Sequence, residues 1–173
     1  MSGFLLVLLS HLTVVAYAPF FETGSDVVPR AVWILCALSL FIYHTMDNMD
    51  GKQARKTGNS SPLGLICDHG CDALNAYISS LTFACCIGWP LTFPNYFAIF
   101  AAFTNGVLPF YFATWEEFYV GKLVFGIING PNEGVYTLIL VYLLTGIFGT
   151  VYYSSCVWSP FLLILSLSLS PST

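Results

Sequence analysis

The sequence predicts an all-α membrane protein: a polytopic bundle of about five or six transmembrane helices, forming a single domain over residues 1–173. Of its 173 residues, 57% are hydrophobic and only 8% are charged. That composition leaves too few polar residues to cover the surface of a soluble domain of this size. The apolar residues also come in runs close to the ~20 residues that a helix needs to cross a hydrocarbon core ~30 Å thick.

Five apolar runs are the predicted spans. In chain order they cover residues 3–20, 30–46, 73–89, 94–114 and 135–153. Gly146 and Gly149 in the last run are expected to let a neighbouring helix approach closely. Residues 115–122 are amphipathic, so we expect them to lie along the headgroup layer. Residues 129–134, rich in Gly, Pro and Asn, predict a turn, and the apolar stretch within 158–173 is short for a span.

The same composition argues against several classes of protein. No basic run points to a nucleic-acid partner. The six cysteines lack the spacing of a zinc site and lie mostly within apolar runs. We therefore interpret them as small packing residues and not as a disulfide framework.

The charged residues are concentrated in residues 47–72, DNMDGKQARKTGNSSPLGLICDHGCD, which hold four of the nine acidic and three of the five basic residues. Charge beside membrane-length apolar runs is costly to keep there, so it indicates a functional site. The basic residues Lys52, Arg55 and Lys56 follow the second run. Because short cytoplasmic loops are rich in Lys and Arg, this end of the bundle is expected to face the cytoplasm.

The aspartates of this stretch have helical spacing. Asp47 and Asp50 are three residues apart, and Asp68 and Asp72 are four apart, so each pair lies on one face of a helix. If the second helix ends with one pair and the third begins with the other, a hairpin brings the four carboxylates together. They would then repel one another unless protonated or neutralised by a divalent cation. All-oxygen sites suit Mg²⁺, Mn²⁺ or Ca²⁺, and paired ions serve displacements at phosphorus.

Other residues of the stretch suit a phosphorylated ligand. Gly51 and Gly64 leave room for close approach, Arg55 offers a planar fork for phosphate, and Lys52 or Lys56 adds a point charge. The competing interpretation is a set of structural carboxylates paired with these three basic side chains at a wet interface. It does not account for the glycines or for the helical spacings.

The stretch resembles the signature of the CDP-alcohol phosphatidyltransferase family. The matching positions are, in order, Asp47, Asp50, Gly51, Ala54, Arg55, Gly64, Asp68 and Asp72. The flanking segments GKQARKTGNSSPLG, DHGCDAL, FYFATWEEF and INGPNEG are similar to those of the eukaryotic choline/ethanolamine phosphotransferase branch. The resemblance covers roughly residues 2–150.

This resemblance implies the transfer of phosphocholine or phosphoethanolamine from CDP-choline or CDP-ethanolamine to diacylglycerol, with release of CMP. It implies an integral membrane protein of the endoplasmic reticulum or Golgi and allows a homodimer. The implied ligands of two Mg²⁺ or Mn²⁺ ions are Asp47, Asp50, Asp68 and Asp72. The implied nucleotide-site residues are Gly51, Lys52, Ala54, Arg55 and Gly64.

Two residues compete for the role of general base. Asp72 is the usual candidate in the family. In this branch His69 is the rival that we favour, because an imidazole titrates nearer neutral pH than a metal-bound carboxylate. Glu133 is expected to orient His69 if the 129–134 turn folds back over the site.

The sequence also departs from the family pattern. Leu65 stands where the branch usually has Glu, and an amphipathic helix and an Asn-x-x-Thr element usually precede the first span. Relatives also have more spans, so we expect a chain truncated at both ends. The alternatives are a catalytically impaired membrane subunit, a family member that uses another alcohol, and a divalent-cation transport protein. The last would need acidic residues deep in several spans.

Overall fold

The computed structural model describes residues 2–19, 27–58, 61–87, 95–121 and 130–150. These residues form five α-helices and no strand. The helices are α1 (Ser2–Tyr17), α2 (Arg30–Thr57), α3 (Pro62–Ile87), α4 (Asn95–Val120) and α5 (Gly130–Phe148). The all-α prediction is confirmed. The apolar tail within 158–173 lies outside the described residues.

Helix α2 makes the most extensive helix–helix contacts. It packs mainly against α1 and α5, while α3 packs mainly against α4 and also contacts α1. Trp33 of α2 stacks on Tyr142 of α5 with ring centroids 6.2 Å apart, and both side chains are buried. The Tyr142 hydroxyl donates a hydrogen bond of 2.9 Å to the Ser79 carbonyl on α3. This contact ties α3 to the α1–α2–α5 core.

Small polar side chains pair with one another inside the bundle. Ser10 and Ser39 share a hydrogen bond of 2.9 Å between α1 and α2, and His11 bonds Thr82 between α1 and α3. Buried hydroxyls need such partners because an unsatisfied polar group is costly away from water. The five cysteines in the described part of the chain are free thiols. Cys36, Cys85 and Cys86 are buried, as the packing interpretation predicted, whereas Cys67 is exposed and the interpretation is wrong there.

Gly146 lies within α5 and Gly149 follows its end, and the two glycines have different structural roles. A Cβ on Gly146 would lie 2.5 Å from Ile34 Cγ1 and 3.3 Å from the Arg30 carbonyl oxygen, so the predicted close approach to a neighbouring helix is confirmed there. Gly149 instead follows the end of α5 with a φ of 88°, and its N–H bonds the Thr145 carbonyl at 2.8 Å. A left-handed residue at this position ends a helix.

Three predicted boundaries are wrong. Helix α2 continues to Thr57, so the first aspartate pair lies within the helix and not at its end. Helix α3 begins at Pro62, well before the predicted start at residue 73. Helix α4 runs unbroken from Asn95 to Val120, so it joins the predicted 94–114 span to residues 115–120 of the segment that was predicted to be separate. Hydropathy indicates which residues are apolar, whereas the ends of a helix depend on backbone conformation and capping hydrogen bonds.

That chemistry is visible between α2 and α3. Gly58 has a φ of 68° and its N–H bonds the Ala54 carbonyl, which ends α2 in a left-handed cap. Ser61 Oγ accepts a hydrogen bond from the Gly64 N–H at 3.1 Å, and Pro62 takes the first helical position of α3. Serine and proline are favoured at these two positions of a helix start.

The turn predicted over 129–134 is also wrong from Gly130 onwards, because α5 begins there. Proline is tolerated in the first turn of a helix, where its missing N–H is not needed. Glu133 also lies in that first turn, where the helix dipole favours an acidic side chain. These residues therefore start a helix.

One helical segment of the described chain, Arg30–Ala54, is long and apolar enough to cross a membrane. Gly3–Tyr17 and Asn132–Phe148 are apolar but shorter. The larger number of spans stays a prediction.

Candidate active site

The predicted aspartates of α2 and α3 lie near one another. Asp47 is within electrostatic range of Asp72 and Asp68 on α3 and of Asp50 on its own helix. Asp50 is exposed, and the other three are partly buried. The conflict between like charges predicted from the sequence is therefore present.

Within the described residues, no group of three His, Cys, Asp or Glu side chains is arranged to hold a metal ion. The donor chemistry nevertheless fits Mg²⁺ or Mn²⁺, since these ions prefer carboxylate oxygens. A cation among these carboxylates would remove the repulsion between Asp47 and its acidic neighbours. We conclude that the aspartates suit a divalent ion once their side chains turn towards it.

Tyr43 is a site residue that the sequence reasoning missed. It is only 6% exposed, and its hydroxyl donates a hydrogen bond of 2.6 Å to Asp72 Oδ1. Burial raises the pKa of Asp72, and this hydrogen bond opposes the rise. The available signal was spacing: Tyr43 precedes Asp47 by four residues and so shares its helix face.

Helix α5 reaches the same end of α2 through His44. The His44 ring contacts Tyr136 edge-on, with ring centroids 5.0 Å apart. Glu133 is the next residue along α5 and is exposed. The structure therefore brings the start of α5 to α2 beside the aspartates.

The carboxylate that lies at His69 belongs to Glu117 of α4. His69 Nε2 and Glu117 Oε2 are 3.6 Å apart, and the two side chains are 33% and 26% exposed. Within the described chain, no ion pair joins His69 to Glu133, and the role of Glu133 stays a prediction. Helix α4 continues past residue 114 and carries Glu117 alongside α3, while Glu133 is part of a helix and not of a folded-back turn.

The predicted nucleotide-site residues lie at the polar ends of the same two helices. Gly51, Lys52, Ala54 and Arg55 belong to the last turns of α2, and Gly64 to the first turn of α3. Lys52 is exposed, and Gly51 and Ala54 are partly buried. A Cβ on Gly64 would lie 3.1 Å from Ser61 Oγ, so glycine also suits the cap of α3. Their binding roles stay predictions.

An apolar groove of about 410 Å³ lies between α3 and α4. His69 is part of its wall, and most of the remaining lining is aliphatic or aromatic. The principal apolar residues around it are Leu65, Ile66, Ala73, Tyr77, Phe110 and Tyr111. The groove therefore brings a hydrophobic surface up to the histidine.

Comparison with known proteins identifies the family to which the chain belongs. The chain matches the CDP-alcohol phosphatidyltransferase family over residues 4–167. It is 41% identical over 172 residues to the uncharacterized CDP-alcohol phosphatidyltransferase class-I family protein 3 of Dictyostelium discoideum, covering 99% of this chain and 40% of that protein. It is 34% identical over 166 residues to choline/ethanolaminephosphotransferase 1 of Saccharomyces cerevisiae, covering 96% and 40%. It is 37% identical over 149 residues to cholinephosphotransferase 1 of Xenopus laevis, covering 86% and 35%.

The chain belongs to the CDP-alcohol phosphatidyltransferase family, and the resemblance drawn from residues 47–72 is confirmed. This is a family of helical integral membrane enzymes of lipid synthesis that use divalent metal ions. The chain spans about two fifths of the length of the curated relatives described above.

Proposed function

We propose that the protein transfers phosphocholine or phosphoethanolamine from CDP-choline or CDP-ethanolamine to diacylglycerol and releases CMP. One observation carries this proposal: aspartates of α2 and α3 lie near one another, and His69, which follows Asp68 on α3, also lines an apolar groove. A polar phosphoryl-transfer site beside a hydrophobic surface suits a reaction between a nucleotide and a lipid alcohol. The relatives named for choline and ethanolamine transfer support the same substrates.

The proposed metal ligands are Asp47, Asp50, Asp68 and Asp72, for two Mg²⁺ or Mn²⁺ ions. When bound, the ions neutralise the charge that develops on the transferred phosphoryl group and its leaving group. Tyr43 holds one oxygen of Asp72 through its hydroxyl, which fixes the orientation of that carboxylate.

The proposed nucleotide site lies at the polar ends of α2 and α3. Gly51, Ala54 and Gly64 have little or no side chain, so a ligand can approach the helices there closely. Arg55 contributes a guanidinium that suits phosphate, and Lys52 adds a positive charge. Phosphoryl transfer relies on such positioning and charge neutralisation more than on covalent catalysis.

His69 is the proposed general base. It takes the proton from the diacylglycerol hydroxyl as that oxygen forms a bond to the phosphorus of the head-group phosphate. The bond from this phosphorus to the oxygen of CMP breaks, and CMP leaves with the electron pair. Asp72 is the alternative base, since it lies on the same helix and burial raises its pKa.

The groove between α3 and α4 is the proposed seat for part of a diacylglycerol acyl chain. Its lining is mainly apolar and includes the proposed base, His69. Leu65, which replaces a glutamate usual in the branch, lines this groove and is 54% exposed. At this position leucine adds apolar surface that an acyl chain can contact.

We propose further that the protein is integral to the endoplasmic reticulum or Golgi membrane through five or six spans, with residues 47–72 facing the cytoplasm. Lys52 and Lys56, both exposed at the end of α2, support this orientation through the excess of basic residues in cytoplasmic segments. Homodimer formation is part of the same proposal. A family member acting on another alcohol and a catalytically impaired subunit are the competing functions.

Membranes containing the full-length protein test the proposal. They receive radiolabelled CDP-choline or CDP-ethanolamine, diacylglycerol and Mg²⁺, and labelled phospholipid is measured. We expect product from one or both donors, its loss in Asp68→Asn, and its retention in Glu116→Gln, an exposed acidic residue of α4 used as the control. If Asp68→Asn forms as much product as the wild-type protein, the proposed metal site is refuted. Product absent with both donors but formed from another CDP-alcohol would identify a different family activity.

A further inference from the structure

We propose that Cys67 and Cys71 form a binding site for a soft cation, Cu⁺, which is separate from the aspartates that suit Mg²⁺ or Mn²⁺. Both cysteines belong to the first two and a half turns of α3. The inference goes beyond the proposed transfer reaction, in which neither thiol has a part.

Exposure distinguishes these two cysteines from the others in the described part of the chain. Cys36, Cys85 and Cys86 are buried, so helix packing accounts for them. Cys67 is exposed and Cys71 is half-buried. A thiol that solvent can reach contributes little to packing, and its sulfur is accessible to a metal ion.

Helical spacing places the two thiols side by side. Cys67 and Cys71 are four residues apart within α3, so they share one face of the helix with about 5–6 Å between their Cβ atoms. Cys71 lies within electrostatic range of Cys67. Gly70 is beside Cys67 on the helix surface, and a Cβ there would meet no atom within 4 Å. An ion can therefore approach the pair from this open side.

The same spacing favours a bridging ion over a disulfide. A disulfide needs Cβ atoms about 3.5–4.5 Å apart, which is closer than a helix holds residues at this spacing. An ion bound to both sulfurs instead adds two metal–sulfur bonds of about 2.3 Å each, so it spans the wider gap. Helix α3 can therefore keep its conformation when the pair binds an ion.

The type and number of ligands select the ion. Sulfur ligands favour soft cations such as Cu⁺, whereas carboxylates favour Mg²⁺ and Mn²⁺. In the described ranges, no group of three His, Cys, Asp or Glu side chains is arranged to hold an ion. The pair therefore suits Cu⁺, which two ligands can hold, better than Zn²⁺, which takes four.

The thiols and the carboxylates of α3 lie on neighbouring faces of the helix. Asp68 and Asp72 directly follow Cys67 and Cys71 in the sequence. Consecutive residues of a helix are turned about 100° from each other. The start of α3 thus presents sulfur ligands on one side and oxygen ligands on the next, and each set suits a different class of ion.

The test measures Cu⁺ binding by the purified full-length protein in detergent, with ascorbate as reductant and a Cu⁺ chelator as competitor. It compares the wild type with Cys67→Ser, Cys71→Ser and Cys85→Ser, a buried thiol of the same helix that serves as the matched control. We expect Cys67→Ser and Cys71→Ser each to bind Cu⁺ at least about a hundredfold more weakly than the wild type, because changing even a residue that only orients a metal ligand costs about 10–100-fold. Cys85→Ser and Asp68→Asn should keep the ion, and excess Mg²⁺ should not displace it.

Three results would overturn the inference. Equal Cu⁺ binding by the wild type, Cys67→Ser and Cys71→Ser would exclude the pair. An equal loss in Cys85→Ser would place the ion at the buried thiols, and a loss in Asp68→Asn or displacement by Mg²⁺ would place it at the carboxylates. Because Cys67 is exposed, its replacement should leave the melting temperature unchanged without metal, so a loss of Cu⁺ in that variant reports on the ligand and not on folding. Transfer activity enters none of these measurements, so failure here leaves the proposed function standing.

Discussion

Replacing Tyr43 by phenylalanine tests whether α2 and α3 act as one site. The change removes a single hydroxyl and keeps the buried ring. That hydroxyl donates the 2.6 Å hydrogen bond to Asp72, and hydrogen bonds to charged groups contribute about 1.5–3 kcal/mol. At 1.4 kcal/mol per factor of ten, losing this energy would shift the equilibrium away from the ionised carboxylate by roughly tenfold to a hundredfold.

Loss of this hydrogen bond should change the Mg²⁺ concentration that the transfer reaction needs. The Tyr43 hydrogen bond lowers the pKa of Asp72, while burial raises it. Without the bond the pKa rises further, so at a given pH more of the aspartate is protonated and fewer carboxylates are available to a cation. We expect Tyr43→Phe to need roughly tenfold to a hundredfold more Mg²⁺ for half-maximal transfer. The defect should be larger at acidic pH and shrink as pH rises through the altered pKa.

Tyr142→Phe is the matched control. Tyr142 is also buried, and its hydroxyl donates a hydrogen bond of 2.9 Å, but the acceptor is the Ser79 carbonyl. Both variants should lose some thermal stability, and only Tyr43→Phe should shift the Mg²⁺ titration and weaken Mn²⁺ binding measured by electron paramagnetic resonance. Equal metal titrations in the two variants would refute the link between Tyr43 and the metal site.

Three further predictions concern packing, charge and the groove. Gly146→Ala should destabilise the protein by about 1–3 kcal/mol, because its Cβ would meet Ile34; Gly134→Ala, with open space around it, is the control, and equal melting temperatures in detergent would contradict the close approach. Asp47→Asn should raise the melting temperature in chelator, since it removes a repelled charge, and should abolish the stabilisation by Mn²⁺; a melting temperature below wild type in chelator would count against that repulsion. Ala73→Trp should fill the groove and raise the KM for diacylglycerol but not for the CDP-alcohol, and unchanged values for both would rule out acyl binding there.

The parts of the site that sequence reasoning found are those encoded by local spacing. The aspartate pairs, three and four residues apart, needed only a helix to share a face, and the structure supplies that helix on both sides. Their charge also made them conspicuous in an apolar chain. The missed residues depend on long-range packing: Tyr43 reaches Asp72 on another helix, and Glu117 reaches His69 from α4.

The helix ends were predicted less well because hydropathy and backbone conformation are different properties. The polar end of α2 stays helical until Gly58 adopts its left-handed conformation. The Pro131 region looked like a turn because proline and glycine are common there, but both are compatible with the start of a helix. Glu133 therefore lies in the first turn of α5 and not in a loop.

The central claim is that aspartates from two helices form one divalent-metal site. Counting the Mn²⁺ ions bound per chain by electron paramagnetic resonance, with CMP present, tests this most directly. We expect two bound ions for the full-length wild-type protein and a loss of binding in both Asp47→Asn and Asp68→Asn, one from each helix. Mn²⁺ bound at full stoichiometry in either variant, or no bound Mn²⁺ in the wild type, would contradict it.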